Sequence, residues 1–417
     1  MAKPQGNRVK LLIGTRKGAF TLTGDPVRST WNLEGPLYLG HIVHHYMVDP
    51  RDANSHVMAM KAGHLGPTVF FSKDAGKTWN ESSKPPQFPK APEKDGGTPE
   101  PEKSLAEMTE ANKGDQTGKE GGADGAKGGA DGAKGGSAVD LVFWLTPGHE
   151  SQPGVWYAGT APPGMFITKD GGDTWAPVQG FNTYCETSEG LHGEGATPGG
   201  QLTHSILIDP RDAKHMYVSI SVGGTFETTD AGATWTPINK GIQADFLPDP
   251  DTPYGHDPHF VVMHPNNPDR LYQQNHCGIY RIDRPDVKWV RIGDNMPKET
   301  GDIGFPIVVH PQDVDRAWVF PMDGTEVWPR TSPGGKPAVY ETKDGGLSWH
   351  RHDKGLPAEH GYFTVKRQAM CADAALPMGL YFGTTCGEVW GSIDEGASYN
   401  CIVRHLPEIY SITATLD

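Results

Sequence analysis

Short apolar runs recur along the chain and are separated by polar turn segments. One type of run ends in a turn that contains proline, as in HHYMVDPRD (44–52), HSILIDPRD (204–212) and PIVVHPQD (306–313). A second type ends in a glycine turn, as in LLIGTRKGAF (11–20) and YFGTTCGEVW (381–390). Short runs of this kind, with turn residues between them, predict many β-strands and few helices.

A third pattern, S/T-x-D-x-G-x-T/S-aromatic, recurs after the glycine turns. Its five copies are 72–79, 168–175, 228–235, 342–349 and 392–399, and two degenerate copies at 24–31 and 282–289 keep the tryptophan but not the Asp-Gly pair. The Asp carboxylate can accept hydrogen bonds from turn N–H groups, the Gly supplies a positive φ, and the aromatic ring packs between sheets. Seven repeats predict an all-β, seven-bladed β-propeller with four-stranded blades.

The two ends of the chain predict how the ring closes. The N-terminus opens on a second-strand pattern (VKLLIGTRKGAF, 9–20), and the C-terminus ends on a strand without a following turn (408–415). We predict that this last strand is the inner strand of blade 1, so that pairing of the N- and C-terminal strands removes the open edge. Residues 1–417 then form a single propeller.

One segment stands outside the repeats. Residues 83–137 lie between blades 2 and 3 and are first Pro-rich and then composed of Gly, Ala, Asp and Lys, with a repeated GGADGAK unit. Such a sequence has too few apolar residues to build a core and predicts a disordered insert.

Charge and cysteine content narrow the classes of function. The 37 basic residues against 51 acidic ones give a formal net charge of −14, which argues against nucleic acid as a partner. The sequence shows neither a signal-peptide pattern nor an apolar stretch of transmembrane length, which predicts a cytoplasmic protein with no membrane partner. Five scattered cysteines without a CxxC pair agree with a reducing compartment.

The S/T-x-D-x-G-x-T/S-aromatic segments resemble those of the Asp-box, or bacterial neuraminidase repeat, family, and the resemblance covers nearly all of the chain apart from the insert. It implies Asp-box hairpins in a β-propeller, but it does not imply one activity, because the box occurs in sialidases, xyloglucan-cleaving glucanases, sortilin-type receptors and photosystem assembly factors. In that family the box lies on outer turns, which implies that its aspartates are structural. The R-I-P motif of sialidases does not occur here.

Candidate functional residues come from the positions that meet at one mouth of a propeller's central channel, namely the starts of inner strands and the turns after second strands. The candidate catalytic residues are His44, His204, His259, Asp302 and Arg16. The candidate ligand-binding residues are Lys61, His64, His256, Asn275, His276, Glu194 and Arg367.

Histidines from different blades suggest two kinds of chemistry. Neutral imidazoles of His44, His204, His259 and His276 could coordinate a divalent transition metal, with a carboxylate or thiolate completing the sphere. A histidine beside a carboxylate could instead act as general acid or base. The structural alternative is that these side chains only satisfy hydrogen bonds in a polar channel.

Three hypotheses of function follow. The first is a His-rich site at the channel mouth that binds a small ligand or a metal, with hydrolase or lyase chemistry as its enzymatic form; it predicts convergent polar side chains. The second is a non-catalytic scaffold that binds a partner protein or a glycan, and it predicts an exposed apolar patch. The third is a sialidase-like or glucanase-like glycoside hydrolase, which needs two carboxylates in an open cleft.

Overall fold

The computed structural model contains seven four-stranded antiparallel sheets, which form the blades of a β-propeller. The architecture predicted from the repeats is therefore confirmed. The structure describes residues 8–63, 66–89, 136–188, 191, 200–245, 247–249, 252–324 and 330–416. Among these residues, no helix is long and apolar enough to cross a membrane. The five cysteines form no disulfide.

The first four blades follow the order of the chain. Blade 1 begins with β1 (Val9–Thr15), β2 (Gly18–Gly24) and β3 (Trp31–Leu37). Blade 2 contains β4 (Ile42–Asp49), β5 (Asp52–Ala62), β6 (Gly66–Ser72) and β7 (Asn80–Glu81). A separate two-stranded sheet, β8 (Gln87–Pro89) and β9 (Gly136–Ala138), comes next. Blade 3 contains β10 (Leu141–Pro147), β11 (Trp156–Ala161), β12 (Gly164–Thr168) and β13 (Ala176–Pro177), followed by helix α1 (Gln179–Thr187). Blade 4 contains β14 (Thr203–Ile208), β15 (Met216–Ile220), β16 (Gly224–Thr228) and β17 (Thr236–Pro237).

The remaining blades repeat the same order. Blade 5 contains β18 (Pro258–His264), β19 (Asn267–Asn275), β20 (Gly278–Asp283) and β21 (Val290–Arg291). Blade 6 contains β22 (Gly304–Val309), β23 (Ala317–Pro321), β24 (Val339–Thr342) and β25 (His350–His352). Short 3₁₀ turns lie at Gly293–Asn295 and Pro333–Gly335. Blade 7 contains β26 (Met370–Ala372), β27 (Leu380–Gly383), β28 (Val389–Ser392) and β29 (Asn400–Val403), and the chain ends with β30 (Ile409–Leu416).

The last strand closes the ring as the sequence predicts. β30 pairs antiparallel with β1 in blade 1, from Val9 opposite Leu416 to Thr15 opposite Ile409. The side chain of Ile412 is 2% exposed and belongs to the apolar core shared by blades 1, 6 and 7. The chain termini are therefore held together by a hydrogen-bonded ladder, which leaves no open edge at this joint.

The repeated turns are held by their aspartates. In blade 2, the Asp74 carboxylate accepts hydrogen bonds from the hydroxyls of Ser72 (2.8 Å) and Thr78 (2.6 Å) and from the Thr78 N–H (2.8 Å). The Thr78 hydroxyl and N–H are the main causes that lower the pKa of Asp74 to about 2. Gly76 has φ +80°, and the Trp79 indole donates to its carbonyl at 3.0 Å.

The degenerate repeats behave in two ways. In blade 1, Asp25 still accepts hydrogen bonds from Ser29 and Thr30, although the repeat glycine is missing. In blade 5, Asp283 is paired with Arg270 instead. The turn therefore tolerates loss of the glycine when the Asp and hydroxyl partners remain.

The first residues of the segment between blades 2 and 3 are hydrogen-bonded to blade 3. The Lys84 N–H bonds to the Asp173 carbonyl of the blade 3 turn at 3.3 Å, so residues 83 and 84 still pack on the propeller. Farther along the segment, the described residues 88–89 and 136–138 belong to β8 and β9. Residues 90–135, on which most of the predicted insert falls, lie outside the described residues.

Candidate functional site

Two side chains of blade 7 reach across the centre of the ring. Arg367, just before β26, donates from an Nη to the hydroxyl of Ser221 in blade 4 at 3.1 Å. The neighbouring Gln368 donates from its amide to the Phe143 carbonyl in blade 3 at 3.0 Å. Blades 3 and 4 lie opposite blade 7 in a seven-bladed ring, so these contacts mark the channel end where the inner strands begin.

The inner strands are irregular at this end. Register shifts occur in β4 between Val43 and His45, in β14 after His204, in β18 between Pro258 and Phe260, and in β22 after Gly304. A bulge of this kind bends a strand and changes the direction of its side chains. The shift in β18 falls at His259, the histidine that takes part in the group described next.

Asp257, His259 and His276 form a compact group in blade 5. Asp257 Oδ2 lies 3.3 Å from His259 Nε2 and 3.5 Å from His276 Nδ1. The other carboxylate oxygen, Oδ1, accepts the Val222 N–H at 3.1 Å. Asp257 and His259 are buried, while the His276 side chain is 35% exposed. One ligand atom from each of the three residues lies within 4.8 Å of the others.

The buried position sets the charge of this group. Burial alone would raise the pKa of Asp257, but His259, His276 and Arg367 hold it well below its ordinary value, so the carboxylate is ionised. Burial lowers the pKa of His259, and the nearby Asp257 offsets this only in part. At neutral pH the group therefore combines a carboxylate with a neutral His259 imidazole.

Two guanidinium groups lie beside this carboxylate. The central carbons of Arg367 and Arg330 are 5.0 and 5.5 Å from the Phe305 ring centroid, and the His259 ring is 4.8 Å from the same ring. Burial lowers the pKa of Arg367 to about 10, and it also lowers the pKa of Arg330. Both side chains are cations at neutral pH, and the buried Nε of Arg367 has no hydrogen-bond partner among the described residues.

A second group lies at the junction of blades 7, 1 and 2. The Lys366 ammonium is 2.6 Å from a Glu408 carboxylate oxygen and 4.1 Å from the Tyr410 ring centroid. The His44 ring stacks on Tyr410 with centroids 5.5 Å apart, and an Nη of Arg16 lies 3.8 Å from Glu408. Burial, helped by the nearby charges of Lys366 and Lys61, lowers the pKa of His44 to about 3.

Several predicted site residues have structural contacts instead. His204 Nδ1 lies 2.8 Å from the Ser205 hydroxyl and Nε2 lies 2.9 Å from the Pro258 carbonyl, so neither nitrogen is left for a metal. Asn275 holds its own turn through the Cys277 N–H at 3.0 Å. The Asp302 carboxylate is 2.9 Å from an Nη of Arg291.

The other predicted residues are placed as follows. His256 Nε2 lies 2.7 Å from the Thr252 carbonyl, which makes it part of the loop before β18. His64 and Glu194 lie outside the described residues. The four predicted metal ligands are therefore not brought together: His259 and His276 join Asp257, whereas His44 and His204 have other neighbours.

Sequence reasoning missed two residues of the site. Asp257 stands between His256 and His259 in GHDPHF, and its position at the start of an inner strand was a usable signal. Arg330 follows residues 325–329, which lie outside the described part of the chain, and no strand register precedes it directly. Its place beside Phe305 could not be derived from a pattern.

An apolar cavity of about 430 Å³ is lined by other parts of the inner strands. Its walls include Trp144, Phe260, Met263, Val308 and Met370, and none of the charged residues described above lines it. The polar chemistry is therefore separate from the apolar space in the ring.

Comparisons with known proteins support the fold and little beyond it. No family model matches the chain. An 83-residue stretch is 29% identical to an oligoxyloglucan-reducing end-specific xyloglucanase of Emericella nidulans. The stretch covers 20% of this chain and 9% of that protein.

Solved structures give the same picture. The GH74 xyloglucanase from Xanthomonas campestris is similar with a TM-score of 0.55 and 16% identity, over 97% of this chain and 55% of that one. An ancestral GH74 enzyme has a TM-score of 0.50 and 14% identity, over 89% of this chain and 38% of that one. YCF48 from Cyanidioschyzon merolae has a TM-score of 0.47 at 12% identity, over 94% of this chain and 96% of that one. At these identities the GH74 similarity shows a shared propeller fold, and this chain spans only about half or less of the GH74 chains.

Proposed function

We propose that the channel mouth binds a small organic anion, as the binding step of hydrolase- or lyase-type chemistry. The observation that carries the proposal is the pair of cationic side chains, Arg367 and Arg330, held against the Phe305 ring beside the buried Asp257 carboxylate. Two like charges repel each other in a low-dielectric interior, and an anion between them would remove that cost.

The charge of the whole mouth supports the same ligand class. Among the described residues, the linked side chains contain five basic groups (Arg16, Lys61, Lys366, Arg330, Arg367) and two carboxylates (Asp257, Glu408). This group therefore carries more positive than negative charge, in a chain whose formal net charge is −14. A local positive potential attracts small anions, while the negative charge of the rest of the protein surface disfavours nucleic acid.

The side chains also suit the recognition of a carboxylate or phosphate. A guanidinium offers a planar fork of donors that binds either group through two parallel hydrogen bonds, and stacking on Phe305 limits its rotation. Asp257 and His259 adjoin the same space, so a bound anion would face an ionised carboxylate and an imidazole that could transfer a proton.

Calorimetric titration of the full chain with malonate, glucuronate and inorganic phosphate tests the proposal. Arg367→Gln and Arg330→Gln should each weaken binding by about 1.5–3 kcal/mol, the usual contribution of a hydrogen bond to a charged group. The control Arg351→Gln removes an exposed arginine paired with Asp353 and should leave affinity unchanged. Equal binding by all four proteins, or no binding of any anion, would contradict the proposal. The three anions distinguish a simple carboxylate, an acidic sugar and a phosphate as the ligand.

A glycan is the second candidate ligand. The partial match to a xyloglucanase and the GH74-like fold favour it. Incubation with xyloglucan oligosaccharides, followed by analysis for new reducing ends, should show cleavage if the chain is a glycoside hydrolase. Intact oligosaccharides after prolonged incubation would remove this candidate. The convergent polar residues described above speak against the second hypothesis, a non-catalytic scaffold that binds a partner protein or a glycan.

A further inference from the structure

We propose that Asp257, His259 and His276 bind one divalent transition-metal ion, with an open coordination position toward Arg367 and Arg330. The inference rests on the proposed function only for the ligand that would fill this open position. The three protein ligands are argued from their own geometry.

The distances from Asp257 to the two histidines are those between ligands of one metal ion. Atoms bound to Zn²⁺ at about 2.0–2.1 Å with tetrahedral angles lie about 3.3 Å from each other. Asp257 Oδ2 lies 3.3 Å from His259 Nε2 and 3.5 Å from His276 Nδ1. The His259 and His276 rings are nearly perpendicular, at 82°, so the two imidazoles approach the carboxylate from different directions.

The contacts of His259 direct its Nε2 toward the Asp257 carboxylate. His259 Nδ1 lies 2.6 Å from the Gly304 carbonyl, which can only accept a hydrogen bond, so Nδ1 carries the proton. Nε2 faces the Asp257 carboxylate, which is also an acceptor. The hydrogen bond at Nδ1 therefore leaves Nε2, on the side of the ring that faces Asp257, as the nitrogen available to a metal ion.

The surroundings hold the ligands in position. In known metal sites, a ligating histidine donates its second ring N–H to a carbonyl or carboxylate, and ligating carboxylates are themselves hydrogen-bonded. His259 has such a partner in the Gly304 carbonyl, and Asp257 accepts the Val222 N–H through its second oxygen. These contacts come from blades 6 and 4, so three neighbouring blades fix the site.

The donor set indicates the class of metal. Two imidazoles and one carboxylate suit Zn²⁺, Co²⁺, Ni²⁺ or Fe²⁺, whereas Mg²⁺ and Ca²⁺ prefer oxygen ligands alone. Three protein ligands with one open position are typical of catalytic rather than structural zinc sites. The exposed part of His276 leaves a route by which the ion and an anionic ligand can enter.

A second histidine of the chain provides a matched contrast. His215 contacts Asp209 through Nδ1 and Glu227 through Nε2, both at 2.9 Å. Its carboxylates lie on opposite sides of the ring and are also paired with Arg211 and Arg284. This cluster has similar residue types but no common point for one ion, so it should not bind metal.

Titration of the metal-free full chain with Co²⁺ alone, followed by visible absorption, tests the inference, and Zn²⁺ calorimetry gives the affinity. We expect one ion per chain, with the d–d absorption of an imidazole-ligated Co²⁺. His276→Gln and Asp257→Asn should weaken binding at least about 100-fold, because loss of a hydrogen bond to a metal ligand alone costs up to that factor. His215→Gln should bind like the unaltered chain.

The outcomes separate this inference from the proposed function. Absence of stoichiometric binding, or binding that survives both His276→Gln and Asp257→Asn, would overturn the metal site even if anions bind. Metal binding that depends on both residues supports it even if no anion binds, in which case the proposed function fails alone. The His276 side chain is 35% exposed, so its variant should fold, and equal thermal midpoints of the variants and the unaltered chain verify this.

Discussion

Ile412 offers a direct test of the ring closure. Its side chain is 2% exposed in β30, lies opposite Ile13 of β1, and packs in the core shared by blades 1, 6 and 7. Ile412→Ala would remove buried carbon atoms at the joint and leave a cavity that strands held on both sides cannot collapse to fill. We expect the free energy of unfolding to fall by about 2–5 kcal/mol, and by about 0.5–1.5 kcal/mol for Ile412→Val.

Urea unfolding followed by tryptophan fluorescence measures this loss. The control Ile393→Ala alters an isoleucine of the blade 7 repeat turn that is 41% exposed, and its effect should stay within about 0.5 kcal/mol. If Ile412→Ala were no more destabilising than Ile393→Ala, the terminal strand would not carry the closure. An intermediate Ile412→Val value would show that the effect follows the volume removed.

Two further predictions concern the repeat turns and the site. Hydrogen bonds from Thr78 and Thr234 lower the pKa of Asp74 and Asp230 from 3.8 to about 2, so the stabilisation by these carboxylates is complete above about pH 4 and is lost as the pH falls toward 2. The thermal midpoint should therefore drop between pH 4 and 2, and it should drop less in Asp230→Asn. A thermal midpoint that does not change over this range would contradict the prediction. Asp302→Asn should leave anion affinity within about twofold, because its carboxylate bonds to Arg291 rather than to the channel arginines; a large loss in calorimetry would place Asp302 in the site after all.

The propeller was predictable because its signals are local. An Asp with hydroxyl and N–H partners two to four residues away folds the same turn in each blade, as Asp74 shows with Ser72 and Thr78. The pairing of β30 with β1 followed from the same logic, since an inner strand was missing from blade 1. The motif did not predict the hydrogen-bonded turn at Asp25, because this repeat lacks the glycine.

The site was predictable only in part, because it depends on long-range geometry. The strand-start and turn registers identified His259 and His276, but the register shift in β18 decides that they meet Asp257. His204 was chosen by the same rule, yet Ser205 adopts a positive φ of 49° and its hydroxyl lies 2.8 Å from His204 Nδ1. Strand alternation alone predicts neither the bulge in β18 nor the positive φ of Ser205. The sequence therefore indicated the correct end of the channel but only some of the residues of the site.

Anomalous diffraction from crystals of the full chain grown with Zn²⁺ and malonate tests the proposed metal and anion sites most directly. We expect an anomalous peak about 2.0–2.2 Å from Asp257 Oδ2, His259 Nε2 and His276 Nδ1, with a malonate carboxylate between that peak and Arg367. Well-ordered density for the three side chains without a peak, or Zn²⁺ bound only elsewhere, would contradict it.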